Sequence, residues 1–267
     1  MNQNFSTVMG QVHLLNQDFF MPQLNRHRRI WIYLPTDYHQ HTEKSYPVLY
    51  MQDGQNLFDT GTAHFGEWGI DKTLDQIQST GNEGIIVVGI DNGGHHRANE
   101  YAPWRRAKFG GGEGLDYAQF VAYTLKKYID AHFRTKPERE FTGIGGSSMG
   151  GLISFYAGLR YAEVFSKLAI LSPSFWFNKQ IFEWVEKQEK IFEMQICMVG
   201  SRTESYSMER DMTAMYATLQ NIGYTPNELS FAIRDKGKHN EKFWGREFPF
   251  VYQTLFQENS KLELSNP

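Results

Sequence analysis

The chain has 267 residues, 40% hydrophobic and 15% aromatic, with a formal net charge of −3 and a single cysteine. This suits one large domain spanning residues 1–267 and gives no electrostatic ground for a nucleic-acid or anionic-membrane partner. A lone cysteine excludes an intramolecular disulfide, no apolar run is long enough to cross a bilayer, and Met1-Asn2-Gln3-Asn4-Phe5-Ser6 lacks the marks of a secretory signal, so a cytoplasmic protein is expected.

In chain order, residues 8–15 and 29–34 read as strands. In the second, Ile30, Ile32 and Leu34 alternate with Trp31 and Tyr33, the pattern of an antiparallel strand with one wetter face. The basic run Arg26-His27-Arg28-Arg29 leads into it and reads as a solvated strand end. The later apolar runs 47–51, 84–90, 140–144, 168–171, 195–199 and 229–233 hardly alternate. Such strands belong to a parallel sheet covered on both faces. Cys197 lies in one of them and reads as a buried, inert thiol.

Helical periodicity falls between the strands at 70–78, 117–131, 151–159, 208–221 and 246–256. Gly110 to Gly114 reads as a loop, because the alternation continues across it. Residues 175–192 interrupt the order with an aromatic cluster and an amphipathic stretch at 181–190. They are expected to form a small excursion over the active-site edge. The sum is an α/β chain with a mostly parallel central sheet, antiparallel N-terminal strands and helices on both faces.

Gly146-Ser147-Ser148-Met149-Gly150 fits G-x-S-x-G between an apolar run and a helix-prone segment. In that context the central serine becomes a nucleophile, its hydroxyl exposed at the carboxyl edge of the sheet. The preceding Gly143-Ile144-Gly145-Gly146 offers no G-x-G-x-x-G register, so a dinucleotide site has no support. A serine hydroxyl needs an imidazole to take its proton and a carboxylate to orient the ring. In the α/β-hydrolase arrangement these follow in the order serine, acid, histidine. His239 alone among the histidines lies after Ser148.

The acid is expected just after the strand ending at Val199-Gly200, where Glu204 is best placed. Glu209 and Asp211 follow inside a helix pattern, and Asp235 is close to His239 in sequence. The oxyanion requires backbone donors: the N–H of Met149, and the N–H of Gln55 in the loop Gln52-Asp53-Gly54-Gln55-Asn56. An ordinary turn explains Asp53-Gly54 equally well on local sequence.

Assembled, these residues resemble the esterase branch of the α/β-hydrolases that includes esterase D, feruloyl esterase and enterochelin esterase relatives and the mycobacterial mycolyltransferases. The resemblance runs through Tyr46-Pro47-Val48-Leu49-Tyr50-Met51-Gln52-Asp53-Gly54-Gln55, Gly89-Ile90-Asp91-Asn92, Asn99-Glu100-Tyr101-Ala102-Pro103-Trp104, the elbow, Leu171-Ser172-Pro173-Ser174-Phe175-Trp176 and His239-Asn240-Glu241-Lys242-Phe243-Trp244. It implies Ser148 as nucleophile, His239 as base, and Gln55 and Met149 as oxyanion donors. The acid is its loosest match, with Glu204 preferred.

The reaction expected is hydrolysis of small carboxylic esters, on acylated sugars, aryl or siderophore-type compounds, without metal or cofactor. Acyl transfer by the same residues and a non-catalytic binding protein are the alternatives. Trp68, Tyr101 and Trp176 are the expected substrate-binding residues, with Trp104 and Phe175 nearby and Arg105 and Arg106 as candidate carboxylate anchors. The adjacent His95 and His96 lack a carboxylate at ligand spacing. The sequence leaves the oligomeric state open, a homo-oligomer included.

Overall fold

A computed structural model describes residues 6–9, 11–63 and 66–257. Residues 1–5, which carry most of the leader reading, and His64 lie outside them. Among the described residues nine strands form a single sheet: β1 (Ser6–Met9), β2 (Val12–Met21), β3 (Arg26–Tyr33), β4 (Val48–Gln52), β5 (Ile86–Ile90), β6 (Thr142–Ser147), β7 (Lys167–Leu171), β8 (Gln195–Ser201) and β9 (Leu229–Arg234), in the order β1-β2-β3-β5-β4-β6-β7-β8-β9. Pairings up to β3 with β5 are antiparallel, and every pairing from β5 to β9 is parallel.

The helices are α1 (Ile70–Ser79), α2 (Arg97–Glu100), α3 (Gly114–Gln119), α4 (Lys126–His132), α5 (Met149–Arg160), α6 (Gln180–Glu186), α7 (Met208–Asn221) and α8 (Glu241–Phe256), with a π-helical stretch, Phe120–Leu125, joining α3 to α4. This is the α/β-hydrolase fold.

The period of two along each strand divides the core into two layers. Ile32, Tyr50, Val88, Ile144 and Ile170 face one way and pack with Phe120, Val121, Leu152, Phe155 and Met212. Trp31, Tyr33, Leu49, Met51, Val87 and Leu171 face the other way, against Ile70 and Leu74 of α1 and Phe248, Val251 and Leu255 of α8. Fully burying one such side chain contributes about 1.5–3 kcal/mol.

Four expectations need correction. From Ile30 to Tyr33 β3 has no wet face: the strand lies between β2 and β5, and Trp31 and Tyr33 are buried, so the exposure on their side is confined to His27 and Arg29 at its start. Their polar ends are satisfied, Trp31 Nε1 donating to Asp91 at 2.8 Å and Tyr33 Oη to Asp75 at 2.8 Å.

The basic run at the start of β3 is not a solvated end. Arg28 is buried and donates to both carboxylate oxygens of Glu100, at 2.7 and 2.9 Å, while Arg26 pairs with Glu100 and Glu113. Arg29 holds Asp91 at 2.5 Å. These pairs tie β3 to residues 91–113.

β2 continues to Met21 through Asn16-Gln17-Asp18, where the apolar alternation lapses. Pairing with β3 carries it through two register shifts. α8 also begins five residues before the expected 246, because Asn240 caps it, its side chain accepting from Phe243 N at 3.1 Å.

Candidate active site

The turn between β6 and α5 holds Ser148 at φ 56° and ψ −122°, a conformation that costs a non-glycine residue about 1–3 kcal/mol. Neighbouring chain over-determines it. Ser148 N donates to Leu171 O at 3.0 Å, and Ser148 O accepts from Leu152 N at 3.1 Å and Ser174 N at 2.9 Å. The flanking glycines are required by space: a Cβ at Gly146 would stand 2.9 Å from the Gly150 carbonyl carbon, and one at Gly150 would stand 2.9 Å from Gln52 Cβ.

His239 arrives on the turn between β9 and α8. Its Nε2 lies 2.8 Å from Ser148 Oγ, and its Nδ1 lies 2.8 Å from Glu204 Oε2. The Glu204 side chain is 0% exposed and that of His239 37%. The other carboxylate oxygen, Oε1, accepts from Ser201 N at 2.7 Å, which fixes the acid to the end of β8. With the ring proton on Nδ1, facing the carboxylate, Nε2 can accept from the serine hydroxyl.

The ring of His239 stands edge-on to Trp244, centroids 5.1 Å apart and planes at 86°. Trp244 is itself pinned by a 2.9 Å hydrogen bond from Nε1 to Ser172 Oγ. The other candidate acids are engaged elsewhere: Glu209 and Asp235 both pair with Arg202, and Asp211 with Arg210.

β4 and β6 are neighbours with Met51 opposite Gly145, so the turns that follow them lie side by side. After β4, Asp53 takes φ 56° and Gly54–Asn56 form one 3-10 turn. A Cβ at Gly54 would meet the Gly89 carbonyl carbon at 2.6 Å, so only glycine lets this turn sit against β5. Gln55 is buried, its Oε1 accepting from Asn92 N at 3.1 Å. Met149 N–H opens α5 and has no intrahelical acceptor.

The carboxylate of Asp53 is gripped by Arg97, through Nε and Nη2 at 2.8 Å each, and by Asn92 Nδ2 at 2.7 Å. Burial pulls the Arg97 pKa down, but Asp53, with Tyr101 and Glu241 adding to it, makes the net shift upward. Glu241 is buried nearby, accepting from Asn56 Nδ2 at 3.1 Å, and burial pushes its pKa up.

Ser148 and His239 stand between two clefts. One, of about 460 Å³, is lined by Asp53, Asn92, Arg97, Glu241 and Trp244 among others. The second, of about 440 Å³, is lined by Ser174, Trp176, Tyr206 and Met208 among others. Ser174 Oγ lies 3.2 Å from Ser148 Oγ.

Of the three aromatics expected at the substrate, Trp176 alone lines a cleft, with 47% of its surface exposed. Trp68 is buried against Trp244, centroids 5.8 Å apart, and its backbone N–H donates to Asn56 O at 2.9 Å. Tyr101 is buried and accepts from Asp53 N at 3.2 Å. Both underpin the site from within, because the aromatic rings there also fill core volume.

Phe175 packs on Phe155 and Trp104 on Tyr156. Arg106 lies over the rings of Phe109 and Phe177, and neither it nor Arg105 lines these clefts. Sequence reading missed Arg97, Asn92, Ser174, Tyr206 and Glu241. Asn92 and Ser174 stood in quoted phrases just past strand ends, a usable signal, whereas Arg97 and Tyr206 had none. Among the described residues no group of three or more His, Cys, Asp or Glu is placed to hold a metal ion, and no helix is long and apolar enough to cross a membrane.

The pattern of the family described as Putative esterase matches residues 22–250. The uncharacterized protein YbbA of Bacillus subtilis (strain 168) is 26% identical over 245 residues, covering 87% of this chain and 94% of its own. A solved ferulic acid esterase superposes with a TM-score of 0.69 at 20% identity, over 92% of this chain and 99% of that one. The enterobactin and salmochelin hydrolase IroE gives 0.69 at 18%, over 94% and 97%. The enterobactin esterase FES from Shigella flexneri gives 0.70 at 21%, and this chain spans 57% of its length.

Proposed function

We propose a serine mechanism for this chain, which belongs to the Putative esterase family and is by that membership a carboxylic ester hydrolase. The observation that carries the reading is the unbroken relay from Glu204 through His239 to Ser148, with 2.8 Å on each side of the ring. Ser148 Oγ attacks the ester carbonyl carbon as His239 Nε2 takes its proton. Glu204 holds the opposite N–H and stabilises the imidazolium.

The carbonyl oxygen turns to an anion facing the N–H groups of Met149 and Gln55. The C–O bond to the alcohol then breaks, and His239 returns its proton to the leaving oxygen. A water molecule, deprotonated in turn by His239, attacks the acyl carbonyl carbon; the bond to Ser148 Oγ breaks, His239 returns the proton to Oγ, and the acid is freed. Trp176 beside Tyr206, which is 100% exposed, supports a small ester whose aryl ring, or the C–H face of whose sugar, lies along the cleft they line.

The test is covalent. A fluorophosphonate probe is expected to label Ser148 in folded protein, and Ser148→Ala to lower turnover of p-nitrophenyl acetate by at least about 10⁴-fold. An unlabelled serine, or turnover undiminished in the variant, removes the mechanism.

A further inference from the structure

Beyond the relay, on the far side of the His239 turn, lies a groove of about 620 Å³ lined by Thr203, Lys236, Gly237, Lys238, Asn240, Lys242, Phe243 and Arg246. On a chain of net charge −3 this is a local concentration of positive charge. Arg246 is paired with Glu247. Lys236, Lys238 and Lys242 have no ion-pair partner among the described residues, whereas other cations near the site, such as Arg97 and Arg202, do.

The backbone beneath the groove is fixed, while Lys236, Lys238 and Lys242 stand exposed along it. Thr203 Oγ1 donates to Gly237 O at 2.7 Å and accepts from Gly237 N at 3.0 Å. A Cβ at Gly237 would meet Phe243 at 2.5 Å and Ser201 Cβ at 2.8 Å. The turn carrying Lys236 and Lys238 is thereby clamped to the end of β8 and to α8. Lys238 immediately precedes His239, and Asn240, which follows it, lines both this groove and the cleft at Ser148.

We propose that this groove is an anion subsite that takes a phosphomonoester carried on the alcohol half of the substrate. The inference rests on the esterase reading and deepens it. In that reading His239 Nε2 protonates the departing alcohol, so the alcohol lies over the imidazole and its far end points past Asn240. Three lysines lining one groove without ion-pair partners among the described residues suit a compact dianion better than a single carboxylate. The lysine ammonium is a point charge that accepts any approach direction.

The experiment compares three acetyl esters, acetylglycerol, acetylglycerol phosphate and acetylglycerate, by kcat/KM. The phosphate ester is expected to exceed acetylglycerol by about tenfold or more at low salt, within the range that charge-lined clefts give, and the advantage to shrink in about 0.5 M NaCl. The triple variant Lys236→Gln, Lys238→Gln, Lys242→Gln is expected to bring that ratio close to one. Because the ratio is internal, a general loss of fold does not imitate the result.

Single substitutions at Lys236 and Lys242, each lowering the ratio in part, guard against an effect of Lys238 on its neighbour. Equal rates for the phosphate and neutral esters, a ratio the triple variant leaves untouched, or a preference for acetylglycerate over the phosphate would overturn the proposal. Failure to cleave even acetylglycerol and p-nitrophenyl acetate would instead count against the esterase reading beneath it.

Discussion

Asp53 and Arg97 meet as a two-pronged ion pair, both contacts at 2.8 Å, at the wall of the cleft that opens onto Ser148. Asp53 occupies the left-handed region at φ 56°, which aspartate tolerates better than most residues but still at a cost. The Arg97 fork and the Asn92 amide hold it there, and with it the Gly54-Gln55 peptide that follows. In the proposed mechanism that peptide supplies an oxyanion donor, so the pair acts by positioning.

Arg97→Met is therefore expected to lower kcat by about 10–100-fold with little change in KM, since a displaced donor weakens the transition state more than the ground state. Asp53→Asn keeps the backbone preference and one acceptor, and is expected to lose less. Steady-state kinetics on p-nitrophenyl acetate decide the matter. A kcat within twofold of the parent for Arg97→Met, or a loss confined to KM, would show that the ion pair does not set the donor.

The acid makes a sharper prediction. Glu204 Oε1 is committed to the Ser201 N–H and Oε2 to His239 Nδ1. In Glu204→Gln the amide oxygen stays with Ser201 N–H, leaving the NH₂ facing Nδ1. Two donors then oppose each other unless the ring proton moves to Nε2, the tautomer that cannot accept from Ser148. A fall in kcat of about 10³–10⁴ is expected, as for the equivalent change in other triads. Activity within tenfold of the parent would mean that Glu204 is not the orienting acid.

Much of this was legible in the sequence, and the reason differs from residue to residue. Ser148 could be found because the elbow is local: its glycines answer to neighbours within a few positions and to the adjoining strand. The meeting of His239 with Ser148 and Glu204 followed from chain order, which a parallel sheet converts into spatial order along one edge. Arg97 was not legible, because its partner Asp53 lies 44 positions away and nothing in its own neighbourhood marks it.

Trp68 and Tyr101 were misread for a related reason. A large aromatic near a cleft carries the same local pattern whether it lines the wall or props it from behind, and both are buried here. The run Arg26-His27-Arg28-Arg29 failed as a solvated end because its carboxylate partners, Glu100, Glu113 and Asp91, all come from residues 91–113.

Gly54 tests the second donor by steric means. Its missing Cβ is what lets the turn after β4 lie on the backbone of β5, with contacts of 2.6 and 2.7 Å to Gly89 C and Ile90 N awaiting any side chain. These are backbone atoms of a strand paired on both sides and cannot yield. Gly54→Ala must push the turn outward, and with it the Gln55 N–H. The variant is expected to fold with a lower melting temperature and to lose about 10²-fold or more in kcat, the usual scale for one oxyanion donor. Wild-type kcat in a folded Gly54→Ala protein would exclude Gln55 from that role.

Glu241 links the site to stability through pH. Its carboxyl is buried at the first position of α8, and burial raises its pKa, reinforced by the nearby charge of Asp53. Its own backbone N–H and the charges of His239 and Arg97 pull the other way without cancelling the rise. In the unfolded chain the group titrates near its ordinary value of about 4.3. Between that value and the raised folded one, the native state holds more protons than the unfolded state, so stability falls as pH rises. The contribution is present in full below the unfolded pKa and is lost once pH has passed the folded pKa. Glu241→Gln mimics the protonated acid and keeps an oxygen for the Asn56 amide, which donates at 3.1 Å. The variant is therefore expected to melt above the parent at pH 7–8, with the gap closing toward about pH 4. Thermal melts of both proteins across that range measure it. A variant that melts below the parent at pH 8 would mean that the charged carboxylate earns its place at the helix start through the dipole and its cationic neighbours.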